Sequence, residues 1–485
     1  MRILFVDIDT LRPDHMGCYG YFRNTTPNLD AVAADGIRFE NYFCTDAPCL
    51  PSRAALFSGR FGIHNGIVGH AGTAAERWAG GLERGFKNPD DQNNLVNIFR
   101  KAGMYTASIS TFPERHSAWW FNAGFHEMHN LGLSGRETAG MVTPVALDWL
   151  DRHGQEDNWF LHLHMWDPHT PYRAPEEFGN PFADSPISDW IDEETVRRHL
   201  DCTGPHSLLE LSMYDDHQLP DFPRMPARAR NLEELRRVFD GYDCGVRYAD
   251  EQLGRIFDQM RELGIYEDCA ILVSSDHGEN FGELGIYCEH GTADRATCRI
   301  PMLLKWPGGP RGTADSRLRY HIDLVPTLAE LLGTEAYPKW DGSSYAALLQ
   351  GGEDAGRESL VISQMAHVCQ RAAVFEDWIY LRTLHDGYRL FDREMLFHLS
   401  EDPHEQFDVK DRYPEVCARG AKIILDWQEE AMLRSGSTTD PMWTVMKENG
   451  PYHTWRELPD YLKHLEKTGR SKQAQLLRER HPDDL

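Results

Sequence analysis

The sequence predicts an α/β protein: a large, mixed but mostly parallel sheet sandwiched by helices, followed by a smaller C-terminal α+β subdomain. Two observations carry this. Short apolar runs of strand length alternate with longer segments of helical periodicity through most of the chain, the pattern of a sheet covered on both faces. The 485 residues also exceed what one typical compact core holds, which calls for a second, smaller unit.

The elements follow in order. Ile3–Ile8 is a short apolar run suited to a buried strand. Pro27–Gly36 reads as a helix, with proline near its start and glycine after its end. Tyr105–Ile109 and Trp159–His164 are further strands, and Leu232–Leu263 is the longest helical stretch. Cys269–Ser275 has the composition of a parallel-sheet strand. Asp9, Asp276 and the Trp166–Pro171 segment each fall at the carboxyl end of a strand, where open α/β sheets bind ligands. The polar, glycine-rich stretch Gly351–Gly356 sets the boundary, giving units over 1–355 and 356–485. In the second unit, Ala372–Thr383 and Arg389–Leu399 read as antiparallel strands joined at His385-Asp386-Gly387, with a helix over Pro414–Arg434 and a helical tail.

Composition excludes several classes of function. A hydrophobic content of 41% is that of a globular protein, and no apolar stretch approaches the ~20 residues of a membrane span. The formal charge of −26 argues against nucleic acid, which needs a basic footprint. It leaves room for a small anionic substrate in a pocket lined by a cation, Arg and His, and that pocket is expected to be strongly positive against its surroundings. The chain runs directly into a strand without a signal-peptide pattern, so the expected location is cytoplasmic. Ten cysteines without short paired spacings predict reduced thiols.

One of those cysteines stands out. Cys49-Leu50-Pro51-Ser52-Arg53, followed by helical Ala54–Arg60, resembles the C-x-P-S-R signature of the type I, formylglycine-dependent sulfatases of the alkaline phosphatase superfamily. The resemblance extends over about residues 3–410 and implies an alkaline phosphatase-like fold with 1–355 as the catalytic domain. It implies that a formylglycine-generating or anaerobic maturation enzyme oxidises Cys49 to Cα-formylglycine, an aldehyde hydrated in the active site. One hydroxyl of that hydrate attacks sulfur, and the hemiacetal ester then collapses to release sulfate and restore the aldehyde. The implied substrate is a small-molecule organic sulfate: an aryl, steroid or carbohydrate sulfate monoester. The implied cofactor is one divalent cation, calcium by family habit, with manganese, magnesium or zinc as other candidates.

The family's other site residues are carried over position by position. Asp7-Ile8-Asp9-Thr10, with Gly17-Cys18-Tyr19-Gly20 behind it, aligns with the first metal strand. Asp9 falls on the first of two consecutive family aspartates and Thr10 on the second, so one usual ligand is absent. Asp7 lies on the same strand face but about 6–7 Å deeper, as a group behind the ligands. Asp276-His277 matches the second ligand pair, often Asp-Asn; Asp-His there is similar to the phosphonate monoester hydrolase branch and shifts preference from calcium toward manganese, zinc or iron. The implied metal set is Asp9, Cys49, Asp276 and His277. Arg53 matches the arginine that holds the hydrated nucleophile and the metal-site anions. His169, in His164-Met165-Trp166-Asp167-Pro168-His169-Thr170-Pro171-Tyr172, takes the place of the family's catalytic histidine. His290 stands where a lysine usually meets the leaving-group oxygen, and Arg299-Ile300-Pro301 follows as R-x-P does.

One departure concerns the substrate. The usual Gly-Lys-x-His after the Tyr105–Ile109 strand is replaced by Ser110-Thr111-Phe112-Pro113, and Arg115 and His116 just beyond are the candidates to supply equivalent charge. A phosphonate monoester or phosphodiester hydrolase on the same scaffold is the alternative reading. A catalytically idle scaffold would require an unmodified Cys49 and lost ligands; the ligands, Cys49 and Arg53 are all present in the chain. The loops Gly62–Asn94 and Pro175–Met225 are expected to shape the alcohol pocket, with Trp78, Trp119, Trp120 and Trp190 available to stack a ring. The tail cluster Trp443, Tyr452, His453 and Trp455 is a candidate flap, from this chain or from a neighbouring subunit. Oligomeric state, a homo-oligomer included, is left open.

Overall fold

A computed structural model describes residues 1–78, 89–435 and 439–484. Its main sheet is built from β1 (Arg2–Ile8), β2 (Ile37–Phe43), β4 (Tyr105–Ile109), β5 (Glu127–His129), β6 (Trp159–Met165), β7 (Cys269–Ser274), β10 (Met302–Lys305) and β11 (Thr313–Tyr320). The spatial order is β11-β2-β10-β7-β1-β6-β4-β5, and β10 alone runs against the rest. This is the mixed, mostly parallel sheet expected; β1, β4, β6 and β7 end within one residue of the sequence reading, and β2, β5, β10 and β11 carry no expectation there.

Alternation along β1 explains why the sheet has two covered faces. Ile3 and Phe5 join one core, shared with the helix Cys49–Ser58, while Leu4, Val6 and Ile8 join the other, under the helices Ala139–His153 and Leu232–Glu262. All ten residues of Cys49–Ser58 are buried, and Gly59 ends the helix at φ 67°, a left-handed cap that glycine takes without strain.

β8 (Asn280–Phe281) and β9 (Tyr287–Glu289) form a small antiparallel pair, and the second sheet has the order β15-β14-β13-β12-β3: β3 (Asp46–Ala47), β12 (Ser359–Gln364), β13 (Cys369–Phe375), β14 (Trp378–His385) and β15 (Glu394–His398). Here the expected hairpin is corrected. Ala372–Thr383 is not one strand but parts of two, which reverse at Glu376-Asp377, where Glu376 takes φ 50°. The turn carries no glycine or proline, so its sequence gives no turn signal. The segment Arg389–Leu399 contributes strand only over Glu394–His398. Because β3 precedes the helix at Cys49 and pairs in parallel with β12, the small sheet is tied to the nucleophile region. Leu360, Ile362, Ala372 and Val374 also enter the same core as Phe57 and Phe61. Among the described residues no helix is long and apolar enough to cross a membrane, and all ten cysteines are free thiols.

Candidate active site

The site forms where β1, β6 and β7 end. In register, Asp7 lies opposite His164 on β6 and Ser274 on β7, so the next residues of each chain segment leave the sheet side by side. Asp9, Asp276 and His277 emerge there, all at most 2% exposed. Thr10 turns the chain at φ 56°, an unusual backbone for a β-branched residue. That turn lets its N–H donate to Asp276 Oδ1 at 3.2 Å, while Leu11 N–H donates to Ser275 Oγ at 3.0 Å. Thr10 thus stands in the place of the second family aspartate and contributes its backbone, not a carboxylate.

Arg53, one turn into the helix from Cys49, binds these pieces together. Its Nε and Nη2 donate to the two oxygens of Asp7 at 2.8 and 3.0 Å, and its Nη1 donates to Asp9 Oδ2 at 3.0 Å and Asp276 Oδ2 at 2.6 Å. Nη2 also donates to His164 Nε2 at 2.9 Å, which leaves His164 Nδ1 to donate to Ser110 Oγ at 3.0 Å. Phe112 stacks on the guanidinium 4.8 Å away. Burial by itself would raise the pKa values of Asp7 and Asp9, but Arg53 together with the neighbouring histidines outweighs it and holds both carboxyls far below their ordinary range.

Cys49, Asp9, Asp276 and His277 form one tight group, each with a ligand-capable atom within 4.8 Å of the others. Cys49 Sγ is 3.1 Å from His277 Nε2, which is itself 3.1 Å from Asp276 Oδ2. Asp9 Oδ1 is buried without a hydrogen-bond partner. His277 Nδ1 donates to Gly278 O at 2.9 Å, which leaves Nε2 free to bind a cation. Two carboxylates, an imidazole and residue 49 fit a divalent cation, and the orphaned Asp9 oxygen is the donor such an ion would satisfy. Burial opposes charge on His277, but Asp276 and Cys49 prevail and raise it well above the usual imidazole value, so this ring holds a proton a cation would displace. Asp7 stays outside this group, behind Arg53.

His169 and His290 complete the floor. His169 Nε2 lies 3.9 Å from both Cys49 Sγ and Asp9 Oδ1, with Nδ1 donating to the Thr170 carbonyl. His290 stacks within 4.0 Å of His277, places Nε2 2.9 Å from Glu289 Oε1, and leaves Nδ1 without a partner. Above them opens a cavity of about 710 Å³ that reaches down to Cys49. Arg115 and His116 both line it, Arg115 over the Trp166 ring at 5.0 Å. Burial first, then the Arg115 and Arg53 charges, hold His116 well below the usual imidazole value.

Other expectations divide. Trp119, Trp120, Tyr452 and His453 line the cavity; Trp443, Trp455 and Trp78 do not, and Trp190 stacks on His404 at 4.1 Å instead. The closing tail comes from this chain itself. Of the first loop, residues 79–88 lie outside the described residues. Arg299 is not at the site: it donates to Glu40 O at 2.7 Å. The protein's own charges at the site are of both signs, with Arg115 on the cavity wall. Around Cys49 the three carboxylates of Asp7, Asp9 and Asp276 outnumber Arg53, and among the described residues no lysine lines the cavity. Histidines line it instead. His70, His206 and His367 were not singled out by the sequence reading; they arrive from three distant loops, and only the chain's 23 histidines hinted at them.

The Sulfatase family model matches residues 2–334, and the chain belongs to this family of sulfuric ester hydrolases. It is 24% identical to the choline-sulfatase of Rhizobium meliloti over 89% of this chain and 88% of that protein. Among solved structures, it shares its fold with the phosphonate monoester hydrolase of Agrobacterium radiobacter, at 19% identity and TM-score 0.69 over 89% of this chain and 96% of that one. A protein solved with its substrate D-glucosamine-2-N,6-O-disulfate superposes with TM-score 0.68 at 18% identity, over 91% and 99% of the two chains.

Proposed function

We propose that the protein hydrolyses a sulfate monoester of a small organic alcohol at a formylglycine made from Cys49. The observation that carries this reading is Arg53, whose single guanidinium holds Asp7, Asp9 and Asp276 around the end of the helix that begins at Cys49. A divalent cation held by Asp9, Asp276, His277 and residue 49 would supply Lewis acidity, and the hydrated aldehyde would supply the attacking hydroxyl.

The chain's own groups have separable tasks. Arg53 fixes the three carboxylates at their angles and helps keep Asp7 and Asp9 ionised. His169, with its Nδ1 proton committed to Thr170 O, presents an unprotonated Nε2 toward residue 49, because burial holds the ring well below the ordinary histidine value, and Nε2 can take a proton there as charge develops. His290, backed by Glu289, presents Nδ1; burial keeps its pKa low, and an incoming anionic ester would raise its proton affinity and make it a donor to the leaving oxygen. Arg115 and His116 sit where they can meet the ester's nonbridging or alcohol oxygens. Residues 1–355 act as the catalytic domain, and 356–485 as a subdomain that lends His367, Tyr452 and His453 to the cavity wall. Ten free thiols suit a reducing compartment, in keeping with a cytoplasmic enzyme.

A phosphonate monoester or phosphodiester substrate is the second reading, favoured by one observation: an imidazole, His277, in the candidate metal set 3.1 Å from residue 49. Two measurements on protein made with a maturation enzyme test both. Peptide mass spectrometry should find the conversion of Cys49 to formylglycine; cysteine left intact overturns the mechanism. Side-by-side rates should favour the sulfate monoester, and a faster phosphodiester or phosphonate would exchange the two readings.

A further inference from the structure

The cavity wall holds a second cluster of histidines outside the Asp9/Asp276/His277 group. His70 lies in the loop after the nucleophile helix, His367 in the turn between β12 and β13, and His453 in the tail. One ring nitrogen of each comes within 4.8 Å of the others. His70 Nδ1 is 3.0 Å from His453 Nε2, and the His367 and His453 rings stack at 3.9 Å. We propose that His70, His367 and His453 bind a second divalent metal ion of the zinc class, separate from the cation at residue 49.

Three features support this. First, the cluster is unsatisfied as an all-protein arrangement: His70 Nε2 and His367 Nδ1 are buried without any hydrogen-bond partner, and His367 is only 2% exposed. Buried polar atoms are rarely left so, and a metal is the partner that accepts several lone pairs at once. Second, the rings are in the right protonation state. Burial, reinforced by the neighbouring imidazoles, holds His70 and His367 well below the ordinary histidine value, and burial holds His453 at about 4, so neutral rings with free lone pairs face one another. Third, Glu289 Oε1 lies 3.7 Å from His367 Nε2, so a carboxylate sits on that nitrogen's side of the ring while Nδ1 has no partner and is the nitrogen open to a metal.

Three neutral imidazoles with no carboxylate select zinc, cobalt, nickel or copper over calcium or magnesium. Three protein ligands would leave one tetrahedral position for an exogenous group, and all three histidines line the cavity. A water, or a hydroxyl or carboxylate on the ester's alcohol, could fill it; that last role rests on the function proposed above, whereas metal binding does not.

The test uses Zn2+ and Co2+ alone. Full-length protein is stripped by chelator, dialysed against Zn2+, and its bound metal counted by elemental analysis. Wild type should retain two equivalents. The Asp9→Asn/Asp276→Asn variant should retain the histidine-bound one, and His70→Ala/His453→Ala the other. Co2+ loading should give the intense visible bands of a tetrahedral nitrogen site in the carboxylate variant and lose them in the histidine variant. His453→Gln, which preserves size, guards against misfolding and should weaken binding at least tenfold by chelator competition. Equal metal content and an equal cobalt spectrum in wild type and both histidine variants would overturn the proposal. So would a single equivalent in wild type that disappears with Asp9→Asn/Asp276→Asn.

Discussion

Arg53 and Asp7 meet in a two-bond fork at 2.8 and 3.0 Å, both almost wholly out of solvent, so the deepest carboxylate of the site serves the arginine and not the metal group. Removing one partner of such a pair strands the other charge, which costs about 3–5 kcal/mol. Asp7→Asn leaves Arg53 paired with Asp9 and Asp276, so unfolding free energy should fall by less than that, about 1–3 kcal/mol in denaturant titration, the loss of charge-assisted hydrogen bonds. Arg53→Lys keeps the charge but cannot fork to three carboxylates, and turnover should fall roughly 10²-fold or more at modest cost in KM. A lysine variant with near-native turnover would remove Arg53 from the organising role.

The thiol at Cys49 invites a second prediction. Burial, then the Asp9 charge, pushes it up to about 11, so in unmatured protein it stays protonated at neutral pH and is a poor nucleophile. Alkylation by iodoacetamide should be slow at pH 7, rise steeply toward pH 11, and vanish in matured protein because no thiol remains. Cys49→Ala should abolish turnover while shifting the unfolding midpoint little, since it removes one small atom from the core. Fast labelling at pH 7 would contradict the electrostatics described.

The sequence made the frame of this site readable because its strands are uninterrupted apolar runs and its ligands sit one or two residues past them. Asp9, Asp276 and the adjoining His277 converge for that reason, while Cys49 and Arg53 enter together on one helix and are marked by their motif. What escaped is what depends on register and on distant loops. His162 and His164 alternate on one face of an otherwise apolar β6, a period-two signal, yet their partners, Asp7 and Arg53, follow only from the pairing of β6 with β1. His70, His206, His367 and His453 meet across up to 383 positions of sequence, and no local pattern announces that. Thr10 looked like a lost ligand; its backbone strain and its N–H to Asp276 are visible only in three dimensions.

Stability should fall in mild acid. His321, at 1% exposure with Nε2 2.9 Å from Ser52 O, is lowered by burial to about 4, as is His199. An unfolded histidine titrates near 6.5, so between about 6.5 and 4 the unfolded chain binds more protons and stability drops as pH falls. His481 works the other way: burial opposes charge, but Asp386 and Asp484 raise it to about 9, so its contribution is present below 6.5 and lost as pH rises through 9. Denaturation midpoints across pH 4–10 should therefore peak near neutrality. His321→Gln should flatten the acid limb only, and His481→Gln the alkaline limb only; unchanged limbs would refute the assignment.

Charge balance yields the last prediction. Three buried carboxylates face one guanidinium beneath Cys49, and Asp9 Oδ1 has no partner, so the folded chain should gain stability from a divalent cation. Binding to the native state alone adds about 2.7 kcal/mol at a hundredfold excess over Kd. Chelation should lower the melting temperature and activity together, re-addition should restore both, and Asp9→Asn/Asp276→Asn should lose this response. The choice of ion then turns on His277, whose Nε2 suits manganese, zinc or iron better than calcium. In His277→Asn an amide oxygen replaces that nitrogen, so the melting shift should move from transition metals toward calcium. If His277→Asn keeps the wild-type order of metals, the imidazole is not a ligand, and residue 49 with the two aspartates must hold the cation alone.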